Sequence, residues 1–175
     1  MILSNTLYIA LFIRSDPPIP NDFHWALYHA SSPTTGTKYH IVNLQNGWIA
    51  GHEPLSTSSI LKSFLLVGLV RVANINTSTS AVGVTNSDID ADVDVNKKID
   101  TLLRSQDDKL NDKEGVTCRT WLFEMLAVLY DEGLLVDVRD GCDGDMHRLE
   151  QVTKAWGNEF AEGAARNVQP RPVGN

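Results

Sequence analysis

The sequence predicts an α+β domain: a meander of about five antiparallel strands packed against a helix that opens at Cys118, with two further helices completing the cover. Three observations carry that expectation. In the first half of the chain, short runs of apolar, β-branched and aromatic residues alternate with clusters of Pro, Gly, Asn and Ser, the pattern of strands and turns. In the second half, apolar residues recur at helical spacing. Counted from Cys118, the residues Trp121, Leu122, Met125, Leu126 and Leu129 fall three, four, seven, eight and eleven positions on, one helical face turned to a core. At 175 residues the chain has the length of one ordinary domain, placed at 1–163. The remainder, 164–175, holds two prolines and two arginines and reads as a fraying tail.

Taken in order, Thr6 to Arg14 is a buried first strand, broken by the Asp16-Pro17-Pro18-Ile19-Pro20 loop. The preceding apolar residues lack a basic region and a small-residue cleavage site, so they read as strand and not as a signal peptide. Phe23 to His29 is a second strand, with His24, Ala26 and Tyr28 on one face and Phe23, Trp25, Leu27 and His29 on the other. A turn at Ser31 to Gly36 leads to Thr37–Leu44, in which His40, Val42 and Leu44 share a face. Trp48 to His52 is a short strand, Ser63 to Val72 a longer one, and Ala81 to Val84 a possible further short one. Asp88, Asp90, Asp92 and Asp94 form an acidic ladder without the glycine and terminal glutamate of an EF-hand, and read as a solvated edge or helix lead-in. Val95 to Leu110 is helical. Thr117 is a fitting N-cap for the Cys118 helix and Gly133 a fitting stop. Leu134 to Val138 is extended, and a last helix runs from about Met146 to Phe160.

Composition narrows the function. A net charge of −7 sets up a field that repels nucleic acid and anionic membrane surfaces, so neither is an expected partner. No apolar run reaches the length of a membrane span, and no stable membrane anchor is expected. Two cysteines cannot make a disulfide framework, and reduced thiols in a cytoplasmic protein are the simpler reading.

The residues that carry chemistry are Cys118, His24 and His40. A cysteine in the first turn of a helix lies among unpaired backbone N–H groups and the positive end of the helix dipole, which favour a thiolate and can hold an oxyanion. A nucleophile of that kind needs a histidine from elsewhere in the fold, and His24 and His40 lie on one expected hairpin. The plainer alternative is that Cys118 only packs, since a cysteine on an apolar helix face is commonly a core residue, and that each histidine only makes a hydrogen bond in a half-buried strand. His29 and His52 are read as structural, Trp25 and Trp121 as core. Cys142 sits among acids that disfavour its thiolate, and is read as a loop thiol. Asp143, Asp145 and His147 match no metal cage, so no metal and no cofactor is expected.

His24-Trp25-Ala26-Leu27-Tyr28, then Tyr39-His40-Ile41-Val42, then Cys118 heading a helix, resembles the circularly permuted NlpC/P60 papain-like group that includes the lecithin:retinol acyltransferase-like and H-rev107-like proteins. The Cys118-Arg119-Thr120-Trp121 start is also similar to small uncharacterised fungal domains. The resemblance implies a permuted papain-like fold, with Cys118 as nucleophile, His24 as general base and His40 as the residue that orients it. It departs from the group in the Thr117-Cys118-Arg119-Thr120 start, where the acyltransferase-like proteins carry Asn-Cys-Glu-His. The activity implied is a cysteine-dependent hydrolase or acyltransferase acting on an amide, ester or thioester. Its alternatives are a non-catalytic module binding a small molecule or peptide, and a biosynthetic cyclase or isomerase working in the same cleft.

Overall fold

The computed structural model describes residues 1–77, 88–139 and 145–174, with the side chains of 88–94 left outside the description. The expected strand at Ala81–Val84, the acidic side chains of the Asp88–Asp94 ladder, Cys142 and Asp143 therefore lie outside the described residues. Within them the architecture is mixed α+β: a largely antiparallel sheet with four α-helices.

Four strands follow one another as hairpin neighbours. Strand β1 (Thr6–Ile13) pairs with β2 (Phe23–Ala30) along its whole length, from Ile13↔Phe23 to Thr6↔Ala30. Next to β2 runs β3 (Thr35–Asn43), and next to that β4 (Trp48–Ser56). Strand β4 continues past the expected end at His52 and takes in Pro54, which a sheet tolerates here because β4 lies on its edge. The meander then stops. A short helix, α1 (Thr57–Leu61), is started by Ser56, whose hydroxyl accepts a hydrogen bond from Ser59 N at 3.1 Å. It carries the chain across to β5 (Leu66–Ile75), which pairs with the far side of β1, so the order is β4-β3-β2-β1-β5. The fifth strand is thus a crossover strand, a correction to the simple meander.

The helices follow their local chemistry. Helix α2 (Asp88–Arg104) begins within the acidic ladder. Helix α3 (Cys118–Asp131) opens on a capping box: Thr117 Oγ1 accepts from Thr120 N at 3.1 Å, and Thr120 Oγ1 accepts from Thr117 N at 2.8 Å. It ends at Gly133, whose φ of 67° is one that glycine adopts without strain. Strand β6 (Leu135–Val136) then pairs with β5. Asp145 caps α4 (Met146–Ala165), which runs a turn beyond the expected Phe160. The segment read as a fraying tail is docked: β7 (Val173–Gly174) pairs in parallel with Leu69 and Val70 of β5, and Arg171 is buried. Its guanidinium donates to the carbonyl of Gly163, in the last turn of α4, and to that of Val168, three residues beyond the helix.

Strand alternation divides the interior in two. Leu7, Ile9, Leu11 and Ile13 of β1, Phe23, Trp25 and Leu27 of β2, and Tyr39 and Ile41 of β3 form the larger cluster with Trp121, Leu122, Met125, Leu126 and Leu129 of α3 and parts of α2 and α4. Tyr8, Ala10, Ala26, Tyr28 and Ala30 form a smaller cluster with Ile60 of α1 and with Leu66 and Leu69. Among the described residues the three long helices therefore cover one face of the sheet, and α1, the N-terminal residue Ile2 and Val173 of the C-terminal segment join the other. Gly157 lets α4 lie close to the sheet: a Cβ there would come within 2.8 Å of Leu11 and 2.9 Å of Phe23.

Candidate functional site

His24 and His40 have the alternation of the smaller face. His24 alternates with Phe23 and Trp25, which enter the larger cluster, and its ring lies 6.0 Å from that of Phe12, which packs on the smaller one. His40 likewise alternates with Tyr39 and Ile41. The two imidazoles meet, His24 Nε2 to His40 Nδ1 at 2.9 Å with the rings edge to face. From the far side of His40, Nε2 reaches Glu53 Oε1 at 3.1 Å, and the same oxygen takes Lys38 Nζ at 2.9 Å. The neighbour of His40 across the β3–β4 ladder is Gly51, and a Cβ at Gly51 would stand 2.5 Å from His40 Nε2. Glycine is what lets the imidazole lie flat over β4.

The protonation pattern follows from charge and burial. Burial works to raise the Glu53 carboxyl, but the hydrogen bonds and charges of Lys38 and His40 together hold it below its ordinary value, so it is an anion near neutrality. An anionic carboxylate only accepts, so His40 Nε2 carries the hydrogen. Burial, and then Lys38, push His40 down against the opposing pull of Glu53, so its ring is neutral and its Nδ1 bears the lone pair. His24 Nε2 must therefore donate to it. Burial above all, with His40, Lys38 and Arg14 adding to it, lowers His24 to about 4, so His24 is neutral too and its Nδ1 is left as the basic atom. The result is a directed chain, Glu53 to His40 to His24, with one open acceptor at its end.

Cys118 is elsewhere. It is 7% exposed and belongs to the larger cluster, on the helix-covered face, with Trp25, Leu27 and Tyr39. Among the described residues no hydrogen bond joins its sulfur to either imidazole, and the strands that carry the histidines present alternate side chains to it. The structure brings His24 and His40 together and leaves Cys118 across the sheet from them.

His29 and His52 serve the packing, and His147 is exposed on α4. His29, on the helix-covered face, is 3% exposed and held neutral by burial, which lowers it to about 4 against the pull of Asp100. His52 Nε2 lies 2.7 Å from Asp107 Oδ2, tying β4 to the 3-10 turn after α2, and its ring rests 5.4 Å from that of Tyr39. Sequence reasoning missed Glu53, Lys38 and Gly51. The signal was present in the register: once β3 and β4 are paired as neighbours, Lys38 and His40 share a face with Gly51 and Glu53.

Among the described residues no group of three or more metal-ligating side chains comes together, and no helix is long and apolar enough to cross a membrane. No family model matches the chain, and no curated protein and no solved structure matches it. What the fold and site define is an α+β domain with a paired-histidine chain on the more open face of its sheet.

Proposed function

We propose that the chain binds a small molecule or peptide over the His24–His40 face and exchanges a proton with it at His24 Nδ1, without a cofactor. The observation that carries this is the directed chain of hydrogen bonds from Glu53 through His40 to His24. When His24 Nδ1 takes a proton, the ring becomes an imidazolium whose Nε2–H already points at the lone pair of His40, and Glu53 lies behind as the anion. The chemistry this suits is acid and base work on a bound carbonyl compound, which includes isomerisation, cyclisation and hydrolysis by an activated water. If no bond is made or broken, the same face remains a binding module.

A cysteine-dependent hydrolase or acyltransferase is the second reading, favoured by one observation: Cys118 opens α3 behind a complete capping box, among the amides that stabilise a thiolate. It requires the sulfur to reach the histidines' side of the sheet, and in the geometry above the thiol serves as packing. An activated ester and a thioester, offered to His24→Ala, His40→Asn and Cys118→Ala, separate the readings. Loss of turnover in His24→Ala with turnover kept in Cys118→Ala supports the histidine reading, with His40→Asn losing only part. Abolition in Cys118→Ala at unchanged melting temperature restores the thiol mechanism. Alkylation gives the same answer by another route: Cys118 that reacts only after denaturation is a packed thiol, and Cys118 that reacts at once in the native protein is a nucleophile.

A further inference from the structure

The most unusual buried charge in the molecule is remote from the histidines. Arg171 is 3% exposed, and among the described residues no carboxylate lies within ion-pair distance of it. Its hydrogen bonds go to neutral acceptors: Nη1 donates to Gly163 O at 3.3 Å and Val168 O at 3.2 Å, and Nη2 to Asn167 Oδ1 at 2.9 Å. Its Nε is buried and, among the described residues, has no hydrogen-bond partner. Removal from water costs a guanidinium a great deal unless an anion compensates it, and the burial lowers its pKa from the ordinary arginine value. These bonds tie the C-terminal segment to the end of α4 and leave the charge unanswered among the described residues.

Arg171 also lines a cavity of about 220 Å³, whose other walls are Val67, Phe160, Ala164, Val168, Pro170 and Pro172. The walls are apolar and held firmly. Leu69 N donates to Pro172 O at 3.1 Å, and β7 pairs with β5 directly after it, so the Pro170-Arg171-Pro172 segment is fixed against the sheet. Such a space equals on the order of seven water volumes, which suits a short ligand and excludes a long chain.

From the unpaired buried guanidinium and the apolar walls around it, we infer that this cavity is a binding site for a small organic anion, a carboxylate on a short aliphatic or aromatic body. The carboxylate compensates the charge of Arg171, which lines the space, and the hydrocarbon body fills the region between Phe160, Val168 and Pro172. The site is independent of the histidine face: it is built from α4, β5 and the C-terminal segment, and its occupation requires nothing of His24.

Titration with benzoate and with hexanoate, followed by amide chemical shifts and by melting temperature, tests the inference, with benzyl alcohol as the uncharged control. The expected result is saturable shifts concentrated at Phe160, Gly163, Val168 and Arg171, a raised melting temperature with both carboxylates, and neither effect with benzyl alcohol. Arg171→Gln should weaken binding by roughly tenfold or more, the worth of a charged hydrogen bond. Because loss of the bonds to the end of α4 alone can unfold that variant, Val168→Trp is the second arm: it fills the mouth from a half-exposed position and keeps Arg171. Loss of binding in folded Val168→Trp sustains the site. Binding retained there, equal binding of benzyl alcohol, or no saturable shift from either carboxylate at millimolar concentration overturns it.

Discussion

The two faces of the sheet are made by the same strands and differ in what they can tolerate. On the helix-covered face, β1, β2 and β3 contribute Leu, Ile, Phe, Trp and Tyr to a cluster that three helices seal. On the other, the same strands contribute Tyr8, Ala10, Ala26 and Tyr28 at the β1 side and Phe12, His24, Lys38 and His40 toward β4, with Glu53 nearly half exposed. The sealed face has the volume of a core, and its β1, β2 and β3 positions are filled by apolar and aromatic side chains. The open one supports a carboxylate, an ammonium and two imidazoles because water still screens its rim. The thiol fell to the first and the imidazoles to the second.

The largest effect should come from the sealed face. Trp121 is buried in α3 amid the main cluster, and Trp121→Ala removes an indole that the surrounding sheet cannot collapse to replace. A loss of about 3–5 kcal/mol in urea unfolding is the expectation. A loss below about 1 kcal/mol would mean that α3 does not hold the core together.

Much of this architecture was legible before the structure. The runs Thr6–Arg14, Phe23–His29 and Thr37–Leu44 correspond to β1, β2 and β3, and the Cys118 helix has the cap and the stop read from Thr117 and Gly133. The hairpin placed His24 and His40 together for the same local reason. What escaped were decisions made at a distance. Alternation divides β2 into two faces without saying which one a helix will cover, and Cys118 went with Trp25 and Leu27 because that set has the greater apolar bulk. The β5 crossover depended on Ile60 of α1 finding the smaller cluster, and the docked C-terminal segment depended on Arg171 meeting the end of α4. The strand signal at β4 weakened at Pro54, and only its place on the sheet edge makes that proline permissible.

Gly51→Ala attacks the open face alone. The added Cβ would lie 2.5 Å from His40 Nε2, so the ring must move and give up Glu53 or His24. Overpacking of this kind costs about 1–3 kcal/mol. The sharper reading is by NMR: His24 should lose the hydrogen bond to its Nε2 proton while the amide shifts of α3 stay where they are. If the shifts in α3 changed as much as those in β3, the two faces would not be separable.

The smallest effect is expected at Glu53, and it tests the direction of the whole chain. Burial depresses His24 and His40, so the unfolded protein binds more protons than the native one in the acid range. Their contribution to stability is complete above the unfolded histidine value, and it is lost as pH falls, for His24 toward about 4. Among the described residues Glu53 is the neighbour that raises His40, so Glu53→Gln should lower the His40 pKa further, with little change in melting temperature at neutral pH because Glu53 is 47% exposed. The glutamine carbonyl still accepts from His40 Nε2, so the tautomer and the donation from His24 persist. Glu53→Leu offers no acceptor and frees His40 to carry its hydrogen on Nδ1, which reverses the bond and moves the basic atom of His24 to Nε2. Nitrogen-15 shifts of the imidazoles distinguish the outcomes: a His24 Nδ1 lone pair kept in Glu53→Gln and lost in Glu53→Leu supports a chain directed by the carboxylate, and identical spectra for the two variants would show that Glu53 does not set it.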